Sequence, residues 1–141
     1  MRACFWFDVA GKCYTISRSA GFAALISSIE ALLPPEENRS LCLSCGSSLS
    51  KSITQRFVDF LEQMASSTPE AERARRNLYR IRSALLHGGA LLHSDHLGAL
   101  PGPRLKDEFE NMDHAQRLVR LVLANWLERQ TELVERRPNS E

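Results

Sequence analysis

Apolar residues recur along this chain at steps of three and four, the spacing that gathers side chains on one face of an α-helix. Phe22, Leu25, Ile26, Ile29 and Leu33 keep that step over about 19–33, and Pro34-Pro35 stops it. A second stripe of Leu49, Ile53, Phe57, Phe60, Leu61 and Met64 predicts a helix over about 48–65. The third segment opens on Thr68 as N-cap, with Pro69 at the first helical position and Glu70 in the first turn. It continues through Ala71, Ala74, Leu78, Ile81 and Leu85. The fourth covers about 106–136 on Phe109, Met112, Val119, Val122, Leu123, Trp126 and Leu127. Leu118 and Leu121 widen its stripe, so it is expected to meet neighbours on two sides.

Residues 1–16 lack that period. Apolar and aromatic positions lie either side of Ala10-Gly11-Lys12, and the expectation is a strand or short hairpin. Glycine and proline otherwise fall between the periodic segments, at Gly88-Gly89 and from Gly98 to Pro103. Amphipathic helices cannot each bury a stripe alone, and packing four together gives a bundle. The expected class is therefore all-α: a four-helix bundle over 17–136, an N-terminal extended segment over 1–16 and a flexible tail over 137–141.

With 141 residues, 43% hydrophobic and 25% charged, the chain fits one domain with one core. Its net charge of +1 carries no global basic field, so affinity for nucleic acid must come from local clustering. No run approaches the ~18–20 apolar residues of a membrane span. The opening MRACFWFDVAGKCY lacks the apolar stretch and cleavage site of a secretory signal. A reducing cytoplasm is the expected location, where Cys4, Cys13, Cys42 and Cys45 are thiols or metal ligands rather than disulfides.

The third helix concentrates the chemistry. Arg73, Arg75, Arg76, Arg80 and Arg82 face only Glu70 and Glu72, and the segment ends Arg82-Ser83-Ala84-Leu85-Leu86-His87-Gly88-Gly89. At about 100° per residue, a seam through Leu78, Ile81 and Leu85 leaves Arg76, Arg80, Ser83 and His87 on roughly the opposite face, with Arg82 at the seam's edge. One reading of His87 is a helix C-cap before a left-handed glycine, where an imidazolium favours the dipole. Another is a functional group at a basic contact surface.

The string from Leu78 to Gly88, with Tyr79, the Arg82-Ser83 pair and the His87-Gly88 pair, resembles the HEPN superfamily, in particular the bacterial Apea-like group. The likeness extends more loosely over 20–130, including Ile29-Glu30-Ala31-Leu32-Leu33. It implies a HEPN-type bundle and a metal-independent endoribonuclease that works as a homodimer, the Arg-His motifs of two copies meeting in one site. Arg82 and His87 would be catalytic, Ser83 and Tyr79 supporting, and Arg76 and Arg80 RNA-binding. An imidazole can take or give a proton near neutral pH, and a guanidinium supplies fixed positive charge to a phosphorane. Residues five apart on a helix diverge by about 140°, which gives a second copy a geometric purpose.

Ser83 stands where active members often have Asn, Asp or His. That departure keeps open a non-catalytic HEPN dimer that binds RNA, nucleotide or a protein partner. The His-x-Tyr extension of HEPN toxins is absent, because Gly88-Gly89-Ala90 follow His87. An antitoxin-type partner therefore lacks its expected signature, and a place in a larger effector stays open.

Cys42-Leu43-Ser44-Cys45-Gly46 has the C-x2-C-Gly form of half a zinc site. Cys4 and Cys13, His93 and His96, or a second copy of the pair are candidates for the remaining ligands. Any zinc is expected to be structural, pinning the connection between the first and second of these helices, and a zinc-stabilised helical adaptor is the third functional alternative. His114 reads as a surface residue.

Overall fold

The computed structural model describes residues 2–35, 44, 51–66, 68–96 and 100–135, and contains five α-helices and no strand among them. They are α1 (Arg2–Tyr14), α2 (Arg18–Glu30), α3 (Ile53–Met64), α4 (Pro69–Leu86) and α5 (Pro103–Glu135), with a short 3-10 turn at His93–Asp95 before α5. None is long and apolar enough to cross a membrane.

The all-α class holds, but the N-terminal expectation is corrected. Residues Arg2–Tyr14 are helical, neither extended nor a hairpin, and pack against α2. The reason lies in α2. Gly21, Ala23, Ala24, Ser28 and Ser19 are buried together with the stripe of Phe22, Leu25, Ile26 and Ile29, so α2 is enclosed nearly all round. A helix without a polar face needs cover on every side. α3 cannot give it, since it packs on α4 and α5; α1 does. The two helices meet closely at Gly21, where an added Cβ would lie 3.0 Å from the Tyr14 Cα and 3.2 Å from the Ala10 carbonyl oxygen.

The core joins Phe22, Ile26 and Ile29 of α2 to Phe57 and Leu61 of α3, Leu78 of α4, and Val119 and Val122 of α5. α5 keeps its stripe through Met112, Ala115, Leu118, Val119 and Val122, while Phe109, Leu121 and Leu127 are exposed. Trp126 is half-buried against the core.

Helix ends are clamped by side chains from elsewhere. At the N-terminus of α2, Asp95 accepts hydrogen bonds from Ser17 Oγ (2.8 Å), Arg18 N (2.8 Å) and Ser19 N (2.7 Å). Ser19 Oγ accepts from Leu92 N at 2.8 Å, and Glu108 of α5 accepts from the N–H groups of His93 and Ser94. The stretch that follows α4 is thereby tied to both α2 and α5. At the other end, the carbonyls leaving α3 receive Arg75 of α4 (Ser66 O, 2.6 Å), Asn125 (Met64 O, 2.7 Å) and Arg129 (Gln63 O) of α5. The last four carbonyls of a helix lack partners within it, and cations there also suit the dipole.

His114 is half-buried rather than on the surface, with Nε2 unpartnered among the described residues. Burial, then Arg117 and Arg75, push its pKa down against the opposing pull of Asp113.

Burial alone would raise the Asp95 pKa, but hydrogen bonds from Ser19, Ser17 and Arg18 outweigh it and hold the carboxyl at about 2, below its ordinary 3.8. The folded state therefore favours ionised Asp95. That stabilisation, roughly 2 kcal/mol, is full above about pH 4 and is lost as pH falls toward 2. Asp95→Asn should flatten the fall in stability between pH 4 and 2 measured by urea denaturation; an unchanged acid limb would show that the carboxylate contributes nothing. Gly21→Val should cost about 1–3 kcal/mol by the same measurement, because backbone lies where the new side chain must go.

Candidate functional site

α4 starts as its sequence dictates. Thr68 Oγ1 accepts from Ala71 N at 3.2 Å and Pro69 occupies the first turn. It ends in a tight C-terminal motif: His87 N–H donates to Ser83 O (3.1 Å), Gly88 takes φ +71°, and Gly89 N–H donates to Ala84 O (2.9 Å). The left-handed residue and the 6→1 bond satisfy the last carbonyls, and glycine adopts that φ without a Cβ clash. The cap geometry read from His87-Gly88 is thus present. The His87 imidazole is exposed.

The face of α4 that enters the core is rotated from the expected seam. Arg75, Leu78 and Tyr79 are its buried residues, while Ala71, Ala74, Ile81 and Leu85 are only partly covered. Arg82 belongs to the same inward side. Its guanidinium pairs with Glu30 at the C-terminus of α2, and both side chains are largely covered, at 18% and 17% exposure. Tyr79 completes the cluster: its hydroxyl donates to Glu30 Oε1 at 3.1 Å, and the Arg82 guanidinium carbon lies 5.8 Å from the centre of its ring. Burial, followed by the Glu30 carboxylate, raises the Tyr79 pKa, which keeps the phenol a donor. Arg82 Nε has no acceptor among the described residues. Glu30 therefore holds two of the sequence-predicted residues at once.

The remaining arginines divide. Arg76 donates to Glu72 (2.8 Å) and across to Gln55 of α3 (2.9 Å), bridging α4 to α3. Arg80 is exposed and donates to Asn77 at 2.9 Å. Ser83 is half-buried and contributes its carbonyl to the cap. Arg75 is 3% exposed, which makes it part of the interior rather than of a basic surface. Burial lowers its pKa, although Glu62 opposes this.

Arg82 and His87 therefore do not converge within one chain: the first points into the α2–α4 contact and the second is open to solvent. Leu86, exposed, precedes the imidazole, and Leu91, also exposed, follows the glycine pair.

Cys42 and Cys45 lie outside the described residues. Cys4 and Cys13 are free thiols on α1, and the His93 and His96 rings are 6.3 Å apart. Among the described residues, no group of three or more His, Cys, Asp or Glu side chains is arranged to hold a metal ion.

Compared with protein-family models, curated proteins and solved structures, the chain matches none.

Glu30→Gln should weaken the hold on Arg82 and leave a buried guanidinium without its counter-charge, at a cost of about 1–3 kcal/mol. Thermal unfolding checks this, and Tyr79→Phe should cost less because only one neutral donor is removed. Equal losses in the two variants would assign the effect to packing rather than charge.

Proposed function

We propose that this chain cleaves RNA in the manner of the HEPN proteins that its α4 string resembles, as a homodimer whose Arg82 and His87 pairs meet across the interface. The observation that carries this reading is the unlike treatment of the two side chains at the end of α4. The guanidinium is held in place by Glu30 and Tyr79, while the imidazole stands exposed at the C-cap. A fixed cation and an accessible proton carrier are the two parts that 2′-OH attack on a phosphodiester requires.

In this reaction one imidazole takes the proton of the ribose 2′-OH as the 2′ oxygen bonds to phosphorus. The bond to the 5′ oxygen of the next nucleotide breaks, and the imidazolium of the second copy gives that oxygen a proton. The products are a 2′,3′-cyclic phosphate and a 5′-hydroxyl. Arg82 stabilises charge on the phosphorane, oriented by Glu30. Two imidazoles serve as base and acid in turn, and one chain supplies only one at this position. Leu86 and Leu91 give the surface around His87 an apolar rim suited to self-association. Arg80, exposed beside the motif, is the strand contact on the same helix, and Arg76 is a weaker one because Glu72 and Gln55 already engage it.

One observation favours a second reading, a dimer that binds RNA without cutting it. Glu30 already neutralises the guanidinium that would meet the phosphate.

Incubating purified protein with single-stranded RNA in EDTA separates the two. Cleavage is expected to persist in the chelator, and His87→Ala should remove it, by about 100-fold or more, with an unchanged circular dichroism spectrum. Cleavage by His87→Ala at the wild-type rate would remove the imidazole from the mechanism. Binding with no cleavage at any pH would select the second reading. Leu91→Glu should shift the mass in solution from dimer to monomer and lower cleavage with it.

A further inference from the structure

Away from the α4 end, an open hollow of about 630 Å³ lies between the α1–α2 turn, the 3-10 turn and the start of α5. Its most telling feature is Arg18, whose guanidinium carbon lies 4.5 Å from the ring centre of Phe109 and 5.8 Å from that of Tyr14. Arg18 makes no ion pair among the described residues, and Phe109 is 42% exposed although it belongs to a long apolar stripe. The carboxylate in this hollow, Asp95, is already engaged by three donors of the α2 N-terminus. Its charge balances that of Arg18, so the hollow is close to neutral. Ser94 and Thr15 line the wall, and Ser94 Oγ is buried beneath it with no hydrogen-bond partner among the described residues.

A neutral hollow with a guanidinium layered on an aromatic ring and hydroxyls at its edge does not suit a phosphate or a lipid headgroup. It suits a flat, polarisable ring with polar edges. We propose that the Arg18–Phe109–Tyr14 cluster is a stacking platform for an unpaired nucleobase, and that the base belongs to the single-stranded RNA assigned to the α4 site. The inference rests on that reading for its source of bases. A base laid on the guanidinium extends the Phe109–Arg18 stack by one layer, and every base has a face that can do so. Leu92 and Ser94 line a small cleft beside the platform together with Glu108 of α5, and they belong to the stretch that leads back to His87. Residues Leu92–Asp95 are clamped by Ser19, Glu108 and Asp95 itself, so the platform side of the connection to α4 is anchored.

The test is fluorescence anisotropy of a labelled single-stranded RNA with full-length protein in EDTA, using Phe109→Leu and Arg18→Lys. Leu keeps the apolar contact and removes the ring; Lys keeps the charge and removes the plane. Each is expected to raise the Kd about tenfold, while duplex RNA of the same sequence, with no free bases, binds weakly to wild type and variants alike. Thermal melts confirm that each variant is folded, and Arg18→Lys carries the test if Phe109→Leu is not. Wild-type affinity in both folded variants would overturn the platform, as would AMP binding as tightly as the strand, which would make the hollow a mononucleotide pocket. Absence of cleavage by the wild-type protein at any pH, with the Phe109 effect on binding retained, leaves the platform standing and sinks only the nuclease. Cleavage that needs His87 while both folded variants bind normally does the reverse.

Discussion

Unsatisfied backbone groups at helix ends organise this molecule. Each α-helix leaves four N–H groups at one end and four carbonyls at the other without internal partners. Here those groups are met across the bundle by Asp95 on α2, and by Arg75, Asn125 and Arg129 on the carbonyls leaving α3. The apolar core supplies cohesion but little direction, because burial of apolar surface is not directional. The end clamps add direction: each fixes which terminus lies beside which helix. Arg75 illustrates the trade. Its burial costs solvation, and hydrogen bonds to carbonyls at the negative end of a dipole offset that cost.

The same logic shapes the candidate site. The C-terminus of α2 carries Glu30, and α4 brings Tyr79 and Arg82 to it, so two helices exchange charge and hydrogen bonds at one carboxylate. Residues on one turn of α4 are thereby fixed before the chain reaches His87. Beyond the cap, Glu108 and Asp95 take hold again. The glycine pair and the exposed Leu91 lie between these two anchored regions, next to the only proposed reactive group that has open surroundings.

Much of the bundle was legible from periodicity. α2 to α5 lie where the apolar spacing predicts them, and Thr68-Pro69 begins α4 as its residue types require. α1 was not legible by that route, because Phe5, Trp6, Phe7 and Val9 show no helical stripe and only Ala3 and Ala10 become buried. The available signal lay in its partner: Gly21, Ala23, Ala24 and Ser28 make α2 small or apolar on every side, and such a helix demands a further cover. The resemblance singled out Arg82, Tyr79 and His87 as expectations, but did not tell what they touch. Glu30 gave no such signal, because an acid beside apolar residues on a helix is ordinarily solvated, and only the packing of α4 on α2 brings Arg82 and Tyr79 to it. Arg75 was hidden among its neighbours, since a run of arginines looks like a solvated face until one of them finds carbonyls to cap. Asp95 acts on residues 76 to 78 positions away, a distance no local capping pattern spans.

α5 runs for 33 residues, about 50 Å. Its buried positions stop at Val122, with Trp126 partly covered just beyond. Beyond it, Arg129 still reaches the Gln63 carbonyl of α3, and the exposed end of α5 is a rod whose orientation is inherited from the packed part of the same helix. A helix fused in phase with this rod would be carried at a fixed angle and distance from the domain, which offers a rigid fiducial for imaging a 15.9 kDa protein otherwise too small to align.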